Sequence, residues 1–150
     1  MIKIDIRPEF VDQCAAGPVQ QAAETALDAL GREPTDSLTI LIGDRKLLRD
    51  LNRQYRDLDR ETDVLSFPAD YLDPDLQATY LGDIVISYPT AQQQADTAGH
   101  AVDAELQLLV IHGILHLVGF DHLEQAEKEI MWREQQRILD LLGLDIAVQE

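Results

Sequence analysis

The stretch from Asp103 to Val118 constrains this chain most, because it is apolar almost all the way round a helix. A helix without a polar face is stable only when other elements surround it. A chain of 150 residues can bury such a helix in one core but leaves no room for two ordinary domains. We therefore expect a single domain over residues 1–150, with this helix at its centre. Its apolar positions are Leu106, Leu108, Leu109, Val110, Ile111, Ile114, Leu115, Leu117 and Val118.

The remaining elements follow from periodicity and from proline and glycine. Ile2, Ile4 and Ile6 alternate with polar residues, which predicts a half-buried strand. Further strands are expected over 38–42, 64–67 and 81–87, with Pro68 ending the third and a loop over 70–77. Helices are expected near 18–30, over 44–55, 89–99, 103–119 and 123–142. Asp44 and Asp103 are the expected caps at the starts of the second and fourth helices, and Gly119 ends the fourth. This order predicts an α+β fold in which a small mixed four-stranded sheet is covered by about five helices.

Three histidines cluster around the end of the central helix. His112 and His116 are four residues apart, so their side chains share one helical face about 5–6 Å apart. Gly119 ends the helix and allows His122 to return as a third ligand, and three ligands with an open position are typical of catalytic zinc. The alternative is that polar residues merely share a face. Burying unpaired imidazoles costs a few kcal/mol, which favours a shared metal ion.

The neighbouring residues limit the chemistry. The pattern resembles the extended metzincin motif, but Gly113 stands where those proteases carry their glutamate base. Peptide hydrolysis by that mechanism is therefore disfavoured. Asp121 is expected either to hydrogen-bond a ligand imidazole or to cap the last helix, and these alternatives stay open. His100, next to a helix end, is expected at the surface or in a cap.

The chain carries 12 basic and 28 acidic residues, a formal net charge of −16, which excludes a generally basic nucleic-acid binder. On a helix extended from Asp44 as far as residue 60, five arginines would fall within an arc of about 80°, but the helix is expected to end near Tyr55, with Arg56 at its exit. These arginines either present a local positive field or form ion pairs with Asp44, Asp50, Asp57 and Asp59. Arg56 differs because it precedes a loop, where sites are often built, and its planar fork matches phosphate. Thr62, Asp63 and Ser66 are expected to cap or brace that loop. The five arginines are Arg45, Arg49, Arg53, Arg56 and Arg60.

The compartment is inferred from cysteine and from apolar runs. Cys14 is the single cysteine, so no intrachain disulfide forms and a reducing compartment is favoured. No apolar run is long enough for a signal peptide or a membrane span. We expect a soluble cytoplasmic protein.

Three blocks together are similar to the bacterial YbeY family of endoribonucleases, the rRNA maturation factors. The first block, at 51–68, contains Leu-Asn at 51–52, Tyr-Arg at 55–56 and Thr-Asp-Val-Leu-Ser-Phe-Pro at 62–68. The second is Leu-Gly-Asp-Ile-Val-Ile-Ser at 81–87, and the third is His-Gly-Ile-Leu-His-Leu-Val-Gly-Phe-Asp-His at 112–122. Their order and spacing and the length of the chain fit that family.

The resemblance implies a single-strand-specific, metal-dependent endoribonuclease, a phosphodiester hydrolase acting in 3′-end maturation of small-subunit rRNA and in ribosome quality control. It implies one zinc ion per chain held by His112, His116 and His122, with Arg56 and His116 as catalytic residues. The partners it implies are single-stranded RNA or rRNA and the ribosome or its small-subunit proteins. We expect neither membrane nor DNA as a partner.

Two other functions remain open at the level of sequence. One is a non-catalytic ribosome assembly factor with a structural metal site, whose acidic surface docks basic ribosomal proteins. The other is a metal hydrolase acting on a different substrate such as a peptide, which Gly113 disfavours. In the nuclease hypothesis the metal polarises the scissile phosphodiester, and Arg56 stabilises negative charge in the transition state.

Overall fold

The computed structural model of the chain describes residues 1–75 and 78–146, without the side chains of Asp70 and Asp73. These described residues form four strands, five α-helices and a 3-10 turn at Pro8–Phe10. The strands are β1 (Ile2–Ile6), β2 (Ser37–Gly43), β3 (Val64–Asp73) and β4 (Ala78–Ser87). The helices are α1 (Ala16–Ala29), α2 (Arg45–Arg56), α3 (Tyr88–Ala98), α4 (Val102–Leu117) and α5 (Gln125–Leu141).

The four strands form one mixed sheet in the order β1-β2-β4-β3. β1 and β4 each run parallel to β2, whereas β3 is antiparallel to β4. The larger hydrophobic core joins one face of the sheet to α1, α3, α4 and α5, and a smaller core joins the other face to α2. The predicted α+β class and the mixed sheet under five helices are confirmed.

Helix α4 is the central element. Twelve of its 16 residues are buried, which confirms the prediction of a helix surrounded on all sides. It packs on β3, β4, α1, α3 and α5. Across the described residues, none of the helices combines the length and the apolar character that a membrane span requires.

Two predicted boundaries are wrong in the region of β3. Pro68 does not end the strand, and residues 70–73, expected in a loop, continue it. β3 is an edge strand paired only with β4, and a proline is tolerated there because half of an edge strand's N–H groups lack a ladder partner. A register shift follows between Pro68 and Tyr71. The last two positions of the predicted loop, 76 and 77, lie outside the described residues.

Two helix starts also differ. The N-cap of α4 is Ala101, without a side-chain cap, and Asp103 lies instead in the first turn, where a carboxylate is stabilised by the helix dipole. Helix α5 begins at Gln125, two residues after the predicted start. The prediction for Asp44 is confirmed, because its carboxylate accepts a hydrogen bond from the N–H of Leu47 at 2.8 Å.

Candidate metal centre

Helix α4 places His112 and His116 on one face near its carboxyl end. Both side chains are partly buried, and their ring centroids are 4.7 Å apart. The two Nε2 atoms lie 3.2 Å from each other. The spacing of four residues therefore produces the convergence that the sequence predicts, with both Nε2 atoms turned toward a common point.

The end of α4 brings His122 back to the same point. Gly119 adopts a φ of 105°, and the N–H groups of Gly119 and Phe120 donate to the carbonyls of His116 and Leu115 at 3.1 and 2.9 Å. This pair of hydrogen bonds is a Schellman motif, which reverses the chain. The ring of His122 consequently lies 5.0 Å from that of His116, centroid to centroid. One ligand nitrogen from each of the three histidines lies within 4.8 Å of the other two.

The surroundings of the rings favour the neutral, metal-binding form of imidazole. Nδ1 of His112 lies 3.0 Å from Oε1 of the buried Gln135, so Nδ1 carries the proton and Nε2 presents its lone pair. Burial lowers the pKa of His112. Burial, followed by the neighbouring imidazoles, lowers the pKa of His116 to about 4. The Nε2 lone pair of His112 faces Nε2 of His116 at 3.2 Å, so these two nitrogens need a shared proton or a cation between them. Together with His122, they fit one metal ion.

Among the described residues, Asp121 neither hydrogen-bonds a ligand imidazole nor caps the last helix, which were its two predicted roles. Its Oδ1 accepts a hydrogen bond from the backbone N–H of its neighbour His122 at 2.7 Å, and the N-cap of α5 is Glu124. The carboxylate therefore stabilises the turn that carries His122. It also raises the pKa of His116, against the larger effect of burial.

His100 is mostly buried rather than on the surface. Its Nε2 lies 2.8 Å from Oε1 of the buried Glu105, which ties the end of α3 to the first turn of α4. The expectation of a surface role is wrong because this carboxylate supplies a buried partner for the ring.

Gly113 has a packing role that the sequence did not reveal. A Cβ at this position would lie 2.9 Å from Cγ2 of Ile84 in β4, closer than such atoms approach. Ser66 of β3 donates a hydrogen bond to the Gly113 carbonyl at 3.1 Å. The missing side chain allows α4 to lie against the sheet, and the position has no room for a protease-type glutamate.

The five arginines do not form a single charged face. Arg49 pairs with Asp59 at 2.8 Å, Arg53 pairs with Asp50 at 3.4 Å, and Arg45 donates to Oε1 of Gln93 at 2.9 Å. The ion-pair alternative therefore holds for Arg49 and Arg53.

Arg56 and Arg60 differ from these three. Both are exposed, and neither side chain makes a hydrogen bond or ion pair with another residue in the described part of the chain, although the Arg60 carbonyl accepts from the side-chain amide of Asn52 at 3.1 Å. Arg56 is the last residue of α2, and Asp57 ends that helix in the left-handed conformation, so Arg60 lies beyond the helix on which it was projected. Arg56 is not among the described residues that line the cavity beside the histidines.

The loop after Arg56 leads into the site. The carbonyl of Asp63 accepts a hydrogen bond from the N–H of Ser87, and its carboxylate accepts one from Gln94 at 3.3 Å. Asp63 and Val64 then line a cavity of about 630 Å³ together with His112 and His122. The predicted bracing role is thus observed for Asp63, which also contributes a carboxylate to the cavity.

Sequence reasoning missed Gln135 and Trp132 of α5. Trp132 meets the rings of His112 and His122 edge-on, with centroid distances of 5.8 Å in both cases. Gln135 occupies a buried position in the stripe that also contains Met131, Ile138 and Leu139. A glutamine at a core position of an apolar stripe is the signal that would have indicated a buried polar partner.

Comparison with known proteins gives consistent matches over most of the chain. The family model described as Endoribonuclease YbeY matches residues 6–143. A protein named Endoribonuclease YbeY from Dehalococcoides mccartyi (strain CBDB1) is 40% identical over 146 residues, covering 89% of this chain and 88% of that protein. One of the same name from Carboxydothermus hydrogenoformans is 40% identical over 135 residues, covering 90% and 91%. The solution structure of TM1509 from Thermotoga maritima matches with a TM-score of 0.63 and 25% identity, covering 95% of this chain and 90% of that one.

Proposed function

The chain belongs to the YbeY family of endoribonucleases, and from that premise we propose that it is a metal-dependent endoribonuclease acting on single-stranded RNA. The observation that carries the proposal is the convergence of three histidine nitrogens beside an open cavity. Zinc is the metal proposed, one ion per chain, because three neutral imidazoles with a free position suit it. Residues 1–150 are proposed to act as one catalytic domain.

The residues of the chain hold and orient the ion. His112, His116 and His122 would be its ligands, and Gln135 fixes the tautomer of His112. When bound, the ion supplies Lewis acidity at a phosphodiester oxygen and lowers the pKa of water. His116, whose ring lies 4.7 Å from that of His112 and 5.0 Å from that of His122, is the ligand whose loss we expect to abolish activity.

Arg56 is proposed as the second catalytic residue. Its side chain is exposed and has no partner in the described part of the chain, and it begins the connection that leads to Asp63 in the cavity. Its guanidinium is thus free to bind phosphate oxygens and to stabilise the charge that develops in the transition state.

The proposed biological role is maturation of the 3′ end of small-subunit rRNA and ribosome quality control in the cytoplasm, with rRNA and the ribosome or its small-subunit proteins as partners. Family membership supports this role. The second candidate is a ribosome assembly factor with a structural metal, which the net charge of −16 favours because acidic surfaces suit basic ribosomal proteins.

The Arg56→Ala variant separates these two functions. A nuclease should retain its metal and its melting temperature in this variant but cleave single-stranded RNA about 10²-fold more slowly, since one stabilising donor is lost. Arg53→Ala is the matched control, because Arg53 lies on the same helix and is engaged by Asp50. Normal cleavage by Arg56→Ala would remove Arg56 from catalysis. Failure of the wild-type protein to cleave, with rRNA processing in cells unaffected by Arg56→Ala, would favour the assembly factor.

A further inference from the structure

The cavity beside the histidines has a polar lining that the metal chemistry does not use. Thr90, Gln93, Gln94 and Thr97 of α3 contribute hydroxyl and amide groups to it. Their spacing of three and four residues places them on one face of the helix. The lining from α4 and α5 is half polar, and its apolar half consists of Leu108, Leu109 and the indole of Trp132. A flat apolar surface combined with amide groups suits a heteroaromatic ring.

Away from the metal centre, the charge of the cavity disfavours a phosphate group. Asp63 and Glu105 line it, and no lysine or arginine is found among the described residues that do so. A phosphate of the substrate placed there, beyond the reach of the metal ion, would be repelled. The volume of about 630 Å³ lies in the range of small-molecule sites, so the cavity accommodates an uncharged group next to the metal centre.

Asp63 and Gln94 contribute acceptors to the lining, which also holds the indole N–H of Trp132, unpaired among the described residues, as a donor. Gln94 donates its Nε2 hydrogen to Oδ2 of Asp63 at 3.3 Å, which leaves Oε1 of Gln94 and Oδ1 of Asp63 without a partner in the described part of the chain. The amide orientation of Gln94 follows from this contact, because its nitrogen must face the carboxylate. Two free acceptors in the same lining suit a ligand that carries an amino group.

We propose that this cavity is a nucleobase subsite that selects a base with an exocyclic amino group, on the nucleotide adjoining the scissile phosphate. This inference rests on the proposed ribonuclease function. Cytosine, adenine and guanine each present an amino donor, whereas uracil has none. Gln94 and Asp63 accept from the amino group, and the indole of Trp132 contacts the ring. Gln94 is therefore a specificity-determining residue.

Trp132 makes the proposal directly measurable, because it is the single tryptophan of the chain. Full-length protein is titrated with cytidine, adenosine, guanosine and uridine, and indole fluorescence is followed after correction for absorption by the nucleoside. Nucleosides are used because they lack the phosphate that the metal and arginines would bind. We expect saturable quenching by the three amino-bearing nucleosides and at least about fivefold weaker binding of uridine, the discrimination of one good hydrogen-bonded contact.

Variants locate the binding in the cavity. Gln94→Leu removes one of the two acceptors and should reduce the preference for cytidine over uridine. Gln92→Leu is the matched control, since Gln92 is an exposed residue of the same helix that is absent from the cavity lining. No saturable quenching in the wild-type protein, equal binding of uridine and cytidine, or identical behaviour of the two variants would overturn the proposal.

Cleavage of single-stranded RNA is measured in the same samples, so that the two proposals fail separately. Cleavage without nucleoside binding would contradict the subsite and leave the nuclease function intact. Nucleoside binding without cleavage would contradict the nuclease function while supporting the base subsite.

Discussion

At the scale of single residues, the state of His112 depends on a partner in another helix. Oε1 of Gln135 in α5 engages Nδ1 of His112, and the indole of Trp132 packs against the same ring. Both contacts hold Nε2 toward His116 and His122. Orientation of a ligand imidazole by a neighbouring amide is worth about 10–100-fold in metal affinity or activity in comparable sites. The centre therefore depends on how α5 packs against α4.

The lowered pKa values give the metal-free protein a pH-dependent stability. The pKa of His112 is lowered and that of His116 is about 4, whereas an unfolded imidazole titrates near about 6.5. Between these values the unfolded chain binds more protons, so the free energy of unfolding falls as the pH decreases from about 6.5 to 4. Each histidine contributes up to about 1.4 kcal/mol per pH unit.

Urea unfolding of metal-free protein between pH 6.5 and 5 measures this slope. The His116→Asn variant lacks one of the titrating groups, and we expect it to show a shallower dependence on pH than the wild-type protein. Equal slopes for the two proteins would show that the imidazole of His116 titrates alike in the folded and unfolded chains.

Histidine spacing was sufficient to predict which rings meet, whereas their partners could not be predicted. Four residues of helix place His112 near His116 by local geometry alone. The contact with Gln135 spans 23 residues, and it depends on the angle at which α5 returns after the Schellman turn. The same applies to His100, whose burial depends on the packing of α3 against α4.

At the scale of elements, the contact between α4 and β4 positions the site. Gly113 lies directly over Ile84, and Ser66 of β3 bonds its carbonyl, so the helix is held close to two strands.

The wrong prediction that Pro68 ends β3 also arises from the arrangement of elements in the fold. Edge position in the sheet, which a local sequence pattern does not contain, decides whether a proline ends a strand.

Gly113→Ala tests this close approach. The added methyl group meets Ile84, which is fully buried, and overpacking of about 1–3 kcal/mol outweighs the gain of up to about 1 kcal/mol in helix propensity. We expect the free energy of unfolding to fall by roughly 1 kcal/mol, measured by denaturant titration. Gly17→Ala is the control, because Gly17 lies in α1 and, among the described residues, no atom outside its own stretch of helix lies within 4 Å of the added Cβ. A stabilised Gly113→Ala would contradict the packing described for α4.

At the scale of the whole molecule, RNA must be bound by a chain with a net charge of −16. The sequence places five arginines close together, yet acidic neighbours engage Arg49 and Arg53. Only the folded arrangement distinguishes these from Arg56 and Arg60, because Arg49 pairs with a carboxylate beyond the end of its helix. The positive field available to RNA is therefore smaller than the sequence suggests.

Salt dependence measures how many cations bind phosphate. If Arg56 and Arg60 each contact one phosphate, the logarithm of the affinity for single-stranded RNA should fall with the logarithm of salt concentration with a slope of about −1.4. Arg56→Ala should reduce that slope by about 0.7, and Arg53→Ala should leave it unchanged. An affinity that does not respond to salt would exclude both arginines from phosphate binding.

The central claim is that one metal ion, held by three histidines, is required for cleavage of RNA. The most direct measurement determines metal content and cleavage of single-stranded RNA in the same purified sample, for the wild-type protein and for His116→Ala prepared in parallel. We predict about one ion per chain with cleavage in the wild-type protein, and loss of both in His116→Ala. Undiminished cleavage by metal-free protein, or by His116→Ala, would contradict the account.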